Sequence, residues 1–551
     1  MTAPATTEQT LGAAALRFLG TGHLPPDALP TADTGLMPPL YKSYPDAPRH
    51  PLTSPGEAPG ATPGERLSWL LRQTGGLTRM RWMSGIMPTG LATTSTEAAR
   101  ERRVILAPGR PGAASGSRYP VEVYVAHCDV DGTTAGLSHY DPAHHALERL
   151  RSGEGRDLLL THLAEPPSLR PEFVLLLSSV LWRNSAKYGS FGYRLQSLDC
   201  GVAVAQVVAA AESAGLSAEV HLRFHDRELD RHVGLDPLAE SVFAVVTVRG
   251  SGGGAEPVTS SASSVPSASS ASWWRSDVPA ERPAPRPLTG TPAVAEAAAL
   301  HEAILDGSPG GTGGEGIAGS ETPDPATPSP PATSGPTIPL PPVHPAPARG
   351  FTRRRTVYGY RPAPVPPEVL ASLYATATAP VRSDLPSMPD GDGEPVRIGG
   401  VIRGVPGVAT GAYLYDRASH ALRPTRGADA ARAVLHAAKS PMLADECRTA
   451  TATLVVCGDP RGGVVAYGDR WYRMLNIAAG TAAQRVALAA AAAGLDSHVH
   501  CDFDLTGIAD ALGLPAPLTP LVLVTVGRAA PDRTDPQLPL RGTITSERDS
   551  A

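Results

Sequence analysis

The chain has 551 residues, of which 42% are hydrophobic, with 56 glycines, 58 prolines and a formal net charge of −5. That length exceeds what one core organises, so two large globular domains with irregular connections are expected. The acidic balance gives no general attraction to nucleic acid or to an anionic membrane surface, and no apolar run is long enough to span a bilayer.

The cysteines (128, 200, 447, 457 and 501) show neither C-x-x-C nor zinc-ligand spacing, which predicts free thiols in a reducing compartment and no metal site. The start, Met1-Thr2-Ala3-Pro4, has no basic stretch before an apolar block, so no signal peptide is read and a cytoplasmic location is expected.

In chain order, residues 1–60 are rich in Pro, Thr and Ala and predict an extended segment hugging the surface. Leu67, Leu70 and Leu71 have helical spacing, with a stop at Gly75-Gly76. A loop of mixed polarity is expected up to Pro120, then a strand at Val121–Val125. Gly136–Leu147 reads as a hairpin, echoed by Gly411–Leu422. The Ala- and Gly-dense segments 198–216 and 477–495 predict long buried helices that another backbone, or a flat ring, can approach closely. From 251 to 350, a Ser/Pro/Gly/Ala composition predicts a disordered linker. One island interrupts it: Thr291-Pro292 suits the N-cap and first position of a helix running through Ile304, with Gly307 as stop. The tract Gly310–Gly314 has no preceding strand and no lysine, so it reads as linker rather than phosphate loop. The expected domains are therefore 61–250 and 351–530, with a tail from 531 to 551.

These halves are copies of one another. Shifting the sequence by 279 positions, without a gap, lays Tyr188 on Tyr467, Gly189 on Gly468, Arg194 on Arg473, Gly201 on Gly480, His221 on His500 and Arg249 on Arg528. A repeat of this length means one fold used twice. Lys187 is the exception, because its counterpart is Ala466.

The Lys187-Tyr188-Gly189…Gly192-Tyr193-Arg194 block, the helix start Gly480-x-x-x-Gln484, the tyrosine-bearing hairpin that opens at Gly411 and the opening Arg354-Arg355-Thr356 carry a resemblance. Together they resemble the nitroreductase-like flavoproteins, in particular the thiazole/oxazole-forming (SagB-type) peptide dehydrogenases. The resemblance implies an α+β fold, with a central, mostly antiparallel sheet wrapped by helices, that dimerises around FMN. A tandem chain would be its own pseudo-dimer, alone or within a higher oligomer. It further implies a phosphate grip from Arg354, Arg355 and Thr356, whose guanidinium forks and hydroxyl suit a phosphate. The first half supplies the flavin-side loop, Ser115-Gly116, while Gln484 and Arg528 complete the set. The pieces are complementary, so one composite FMN site is expected. The family pattern is departed from at Tyr358, Ala114 and Gln206.

By the same resemblance Lys187 and Tyr188 form the base assembly, and the partners implied are a ribosomally made precursor peptide and the cyclodehydratase that installs its azolines. Azoline oxidation removes a proton from the α-carbon and a hydride from the β-carbon, and a desolvated lysine suits the first task. The bland alternatives are a surface cation for Lys187 and packing for Tyr188, which recurs as Tyr467 where no lysine accompanies it. Two other functions share the pattern: a reductase of small nitro- or quinone-type substrates, and a degenerate scaffold that binds peptide.

Overall fold

The Ala- and Gly-rich segments form two 23-residue helices, Phe191–Ser213 and Arg470–Ala492, each beginning seven residues before the expected start. Nearly every side chain of both is buried, because they pack on each other at the middle of the molecule. The approach is close enough to demand glycine. A Cβ at Gly201 would collide with the Ile477 carbonyl, and one at Gly480 with the Leu198 carbonyl, each helix answering the other. The repeated arginines also cross over. Arg194 donates to the Leu521 carbonyl of the second half (2.6 Å), and Arg473 reaches Asp226 of the first (2.5 Å). The paired glycine contacts are those of a twofold dimer, here made within one chain, while the arginine contacts differ between the halves.

The computed structural model describes residues 11–25, 38–56, 58–84, 104–250, 278–289, 291–309, 336–385 and 395–540. Each half carries an antiparallel sheet against its long helix. The first runs, edge to edge, Arg49–Pro51, Ala146–Ser152, Gly136–Asp141, Val121–His127, Phe173–Val180, Glu240–Gly250 and Leu216–His221. The second repeats that order with Ile338–Pro339, Ala421–Arg426, Gly411–Asp416, Val396–Ile402, Ala452–Gly458 and Thr519–Ala529; both Asp496–His500 and Tyr360–Arg361 pair with its last strand. The predicted strand at Val121 and both hairpins are present. The Leu67 helix runs Pro63–Gly75, started by a Thr62–Glu65 capping box. The fold is thus α+β, two tandem copies closed into an intramolecular pseudo-dimer.

Three expectations are corrected. The loop before Pro120 contains strands Arg79–Ser84 and Val104–Gly109, joined by Gln537–Pro539 of the C-terminal tail into a third sheet. The N-terminal segment contributes to the core. Helix Ala13–Thr21 buries Phe18 edge-on against Tyr193 and Tyr472, and Lys42 is buried beside Glu240 at 2.6 Å. Within the linker the expected helix is present, Pro292–Val294 being one 3-10 turn and Ala295–Asp306 a helix ended by Gly307; what is corrected is how much of this stretch is buried. Leu288, Val294, Leu300 and Ile304 are buried in the main core, more apolar surface than the composition suggested. Residues 1–10, 251–277, 310–335 (with the Gly310–Gly314 tract) and 541–551 lie outside the described residues.

Candidate active site

The loop Arg110–Tyr119 of the first half is where the two copies' distinctive residues meet. From the second half comes Arg354, fully buried, whose Nε donates to the Pro111 carbonyl (2.5 Å) and whose Nη2 donates to that of Gly112 (3.2 Å). Gln484 accepts the Ala113 N–H at 3.2 Å and donates to Gln206 at 3.3 Å, so two glutamines that the 279-residue shift leaves one position apart join across the helix pair. From its own half the loop receives Asp199, which accepts the Ser115 backbone N–H (3.1 Å) and hydroxyl (3.1 Å).

Gly116 follows with φ of 55°, the left-handed region that glycine enters without strain. A Cβ there would strike the Tyr188 hydroxyl and lie 3.1 Å from Lys187 Nζ. Both side chains are half-buried at the end of helix Leu181–Tyr188, with the ammonium 4.9 Å from the Tyr188 ring centre. Burial, then the Arg118 guanidinium, lowers the Lys187 pKa; burial, then Asp199, raises that of the Tyr188 phenol. Lys187, Tyr188, Ser115 and Gly116 are thereby brought together, with Arg354 and Gln484 holding the same loop from behind.

The remaining sequence-predicted residues go elsewhere. Arg355 forks onto Asp496 of its own half (2.7 Å), Thr356 bridges to Ser497, and Arg528 lies half-exposed at a strand end opposite Arg361. Sequence reasoning missed Arg79 and Arg81, which alternate with the exposed Trp82 along their strand and point inward, both buried. Arg79 donates to the Arg110 carbonyl (2.7 Å), and Arg81 to the Ser117 hydroxyl (2.9 Å). The available signal was period-two alternation of arginine with large apolar residues.

The Nitroreductase family profile matches residues 98–251 and again 351–528, together more than half of the chain. The chain belongs to the nitroreductase family. A Methanocaldococcus jannaschii protein whose name assigns it to the nitroreductases is 30% identical over 116 residues, which is 21% of this chain and 59% of that protein. The chain therefore spans about three-fifths of that curated relative. Among solved structures, an Anabaena variabilis protein described as a nitroreductase superposes over 94% of this chain and 99% of its own, with TM-score 0.66 and 19% identity. That likeness shows the tandem fold. A chain of the Escherichia coli microcin synthetase McbBCD complex, solved with truncated pro-MccB17, covers 34% of this chain and 63% of its own at 20% identity and TM-score 0.26. Among the described residues, no helix is long and apolar enough to cross a membrane.

Membership of the nitroreductase family implies a flavin, so the buried arginines are the donor set to weigh against its phosphate. Burial, then Arg79, Tyr119 and Arg81, sets the Arg354 guanidinium, with a net pull below its ordinary range. Arg79 is likewise lowered by burial, with Tyr119 and Arg81 as its charged or titratable neighbours. Among the described residues no carboxylate acts on either, and Arg79 Nε is buried without a partner. Buried guanidiniums facing one another are costly unless an anion joins them, so the donor set fits a phosphate. The adjoining cleft, of about 30 Å³, is lined by Arg110, Gly112, Ala113, Tyr119, Asp199 and Val202 among others.

Beside this cluster, Tyr358 stands edge-on to His498 (5.4 Å), which opens a second network absent from the sequence reading. Glu446 is buried and bonds His498 Nδ1 (3.0 Å), His500 Nε2 (2.8 Å) and the Thr525 hydroxyl (2.9 Å); Asp502 takes the other His500 nitrogen at 3.2 Å. Burial alone would raise Glu446, but His498 and His500 outweigh it and hold the carboxyl at about 2. Burial would lower His500, yet Glu446 and Asp502 lift it to about 9. The Glu446 contribution to stability is present above its unfolded value and lost as pH falls from about 4 towards 2; that of His500 is whole below about 6.5 and lost as pH rises through 9. The melting-temperature gap between the wild-type chain and Glu446→Gln is therefore expected to be widest from about pH 5 to 6.5 and to narrow on either side. Thermal scans from about pH 3 to about pH 9.5 check this; a pH-independent gap would contradict it.

Proposed function

We propose that the chain is an FMN-dependent dehydrogenase that oxidises azolines, thiazolines foremost, to azoles in a ribosomally synthesised precursor peptide. The observation that carries this reading is Lys187, a lysine present in one copy only, lying with Tyr188 against Gly116 of the loop that Arg354 grips from the other half. A base for an α-proton must be an unprotonated amine at working pH, and burial beside Arg118 favours that form. Lys187 Nζ takes the α-proton and Tyr188 fixes the ammonium so formed against its ring. FMN, when bound, supplies the acceptor for the β-hydride. Arg354, Arg79 and Arg81 would hold its phosphate, with the Ser115–Ser117 turn beside the ring. The precursor peptide and the cyclodehydratase that forms its azolines are the partners this chemistry requires.

Only one half keeps the lysine and the loop, so purified protein is expected to release about one FMN per chain, measured by absorbance after denaturation. Two per chain would refute the single composite site, and a colourless chain that cannot be reloaded would refute the flavin reading. Incubation with an azoline-bearing peptide, followed by mass spectrometry, should show loss of two hydrogens per ring.

A further inference from the structure

Asp199 is a buried carboxylate with no basic side chain acting on it among the described residues. Burial without a cation is costly, and it pushes this acid up to about 7 despite its hydrogen bonds. Alanine has the higher helix propensity, and the second copy has it: the 279-residue shift lays Asp199 on Ala478. The same shift lays Asn184 on Gly463 and Lys187 on Ala466. These three polar differences converge in space. Asp199 accepts the Ser115 N–H through both oxygens (3.1 and 3.3 Å), the Ser115 hydroxyl (3.1 Å) and Asn184 Nδ2 (3.2 Å). Asn184 lies on the helix that carries Lys187, three residues before it, so one carboxylate ties the loop on one side to the lysine helix on the other.

We propose that Asp199 is a positioning residue, clamping the Ser115–Ser117 turn to the Lys187 helix so that the turn is pre-formed for FMN. The inference rests on the flavin reading above and adds a residue to it. The clamp acts through the turn and is made once per chain. It also accounts for the retention of a buried, uncompensated acid in one copy alone.

The test is FMN titration of the flavin-stripped full-length protein, followed by fluorescence quenching, with melting temperature recorded in parallel. At about pH 8.5, where the carboxylate is ionised, Asp199→Ala is expected to weaken FMN binding on the order of tenfold, the scale of losing hydrogen bonds to a charged acceptor, while a cooperative melting transition shows the chain still folded. Asp199→Asn should recover binding to within about threefold, because an amide oxygen still accepts from Ser115. Ser115→Ala, which removes one bond from the loop side and leaves the helix untouched, should weaken binding by about threefold. Wild-type affinity in Asp199→Ala would overturn the clamp. So would equal losses in Asp199→Asn and Asp199→Ala, since the charge and not the hydrogen bonding would then matter. A wild-type chain that takes up no FMN would overturn the flavin reading and the clamp together, an outcome distinct from either variant failing alone.

Discussion

Lys187→Ala is expected to keep its flavin and to lose azoline oxidation by about 10²- to 10⁴-fold, the range that a positioned general base contributes. The side chain lies at the turn and takes no part in the buried arginine cluster, so the yellow colour and the FMN content should be unchanged. Lys187→Arg separates a base from a mere cation. Arginine keeps the charge but stays protonated, so it should be as inactive as alanine if proton removal is the role. Activity in the arginine variant would instead make Lys187 an electrostatic anchor. Tyr188→Phe should be milder than either. Its ring, which the ammonium faces at 4.9 Å, survives the change, and its counterpart Tyr467 persists where no lysine is present. The measurement is the rate of two-hydrogen loss from an azoline peptide, with flavin content determined on the same samples.

The parts of this arrangement legible in the sequence are those fixed by local pattern or by repetition. The Pro63–Gly75 helix announces itself through its leucine spacing, and the hairpins through their echo, Gly136–Leu147 on Gly411–Leu422. Lys187 was found because the copies differ there. Asp199 and Asn184 differ by the same logic, yet they do not stand out in the sequence, because an acid in an Ala-rich helix looks exposed until the turn that covers it is placed. The long helices start seven residues early for a related reason. Tyr193, Arg194, Tyr472 and Arg473 look like surface residues, but the pseudo-dimer buries them against the opposite half. The Arg79–Ser84 strand was missed because one partner follows a 19-residue interval and the other is the C-terminal tail, neither of them a local signal. Arg355 shows the converse limit. Its likeness to the family's arginine opening implies a phosphate ligand, whereas Asp496, far away in sequence, claims its guanidinium.

Asp226→Asn is expected to destabilise the protein by about 3–5 kcal/mol, the usual consequence of stranding buried charge. Asp226 opens a short helix of the first half and is fully buried, with Arg470 and Arg473 of the second central helix each 2.5 Å from one of its oxygens. Burial would raise this acid; the two guanidiniums more than offset it and hold the carboxyl below its ordinary range. Both guanidiniums also lie 5.6 Å from the Phe224 ring centre, so no water layer separates them from the apolar floor. An amide has the same shape as the acid but leaves two buried cations facing one another. The 279-residue shift lays Asp226 on Leu505, so this triad is made once and has no counterpart to compensate for its loss. Urea unfolding of wild type and variant measures the difference. A change below about 1 kcal/mol would mean that the halves separate enough for water to reach the arginines.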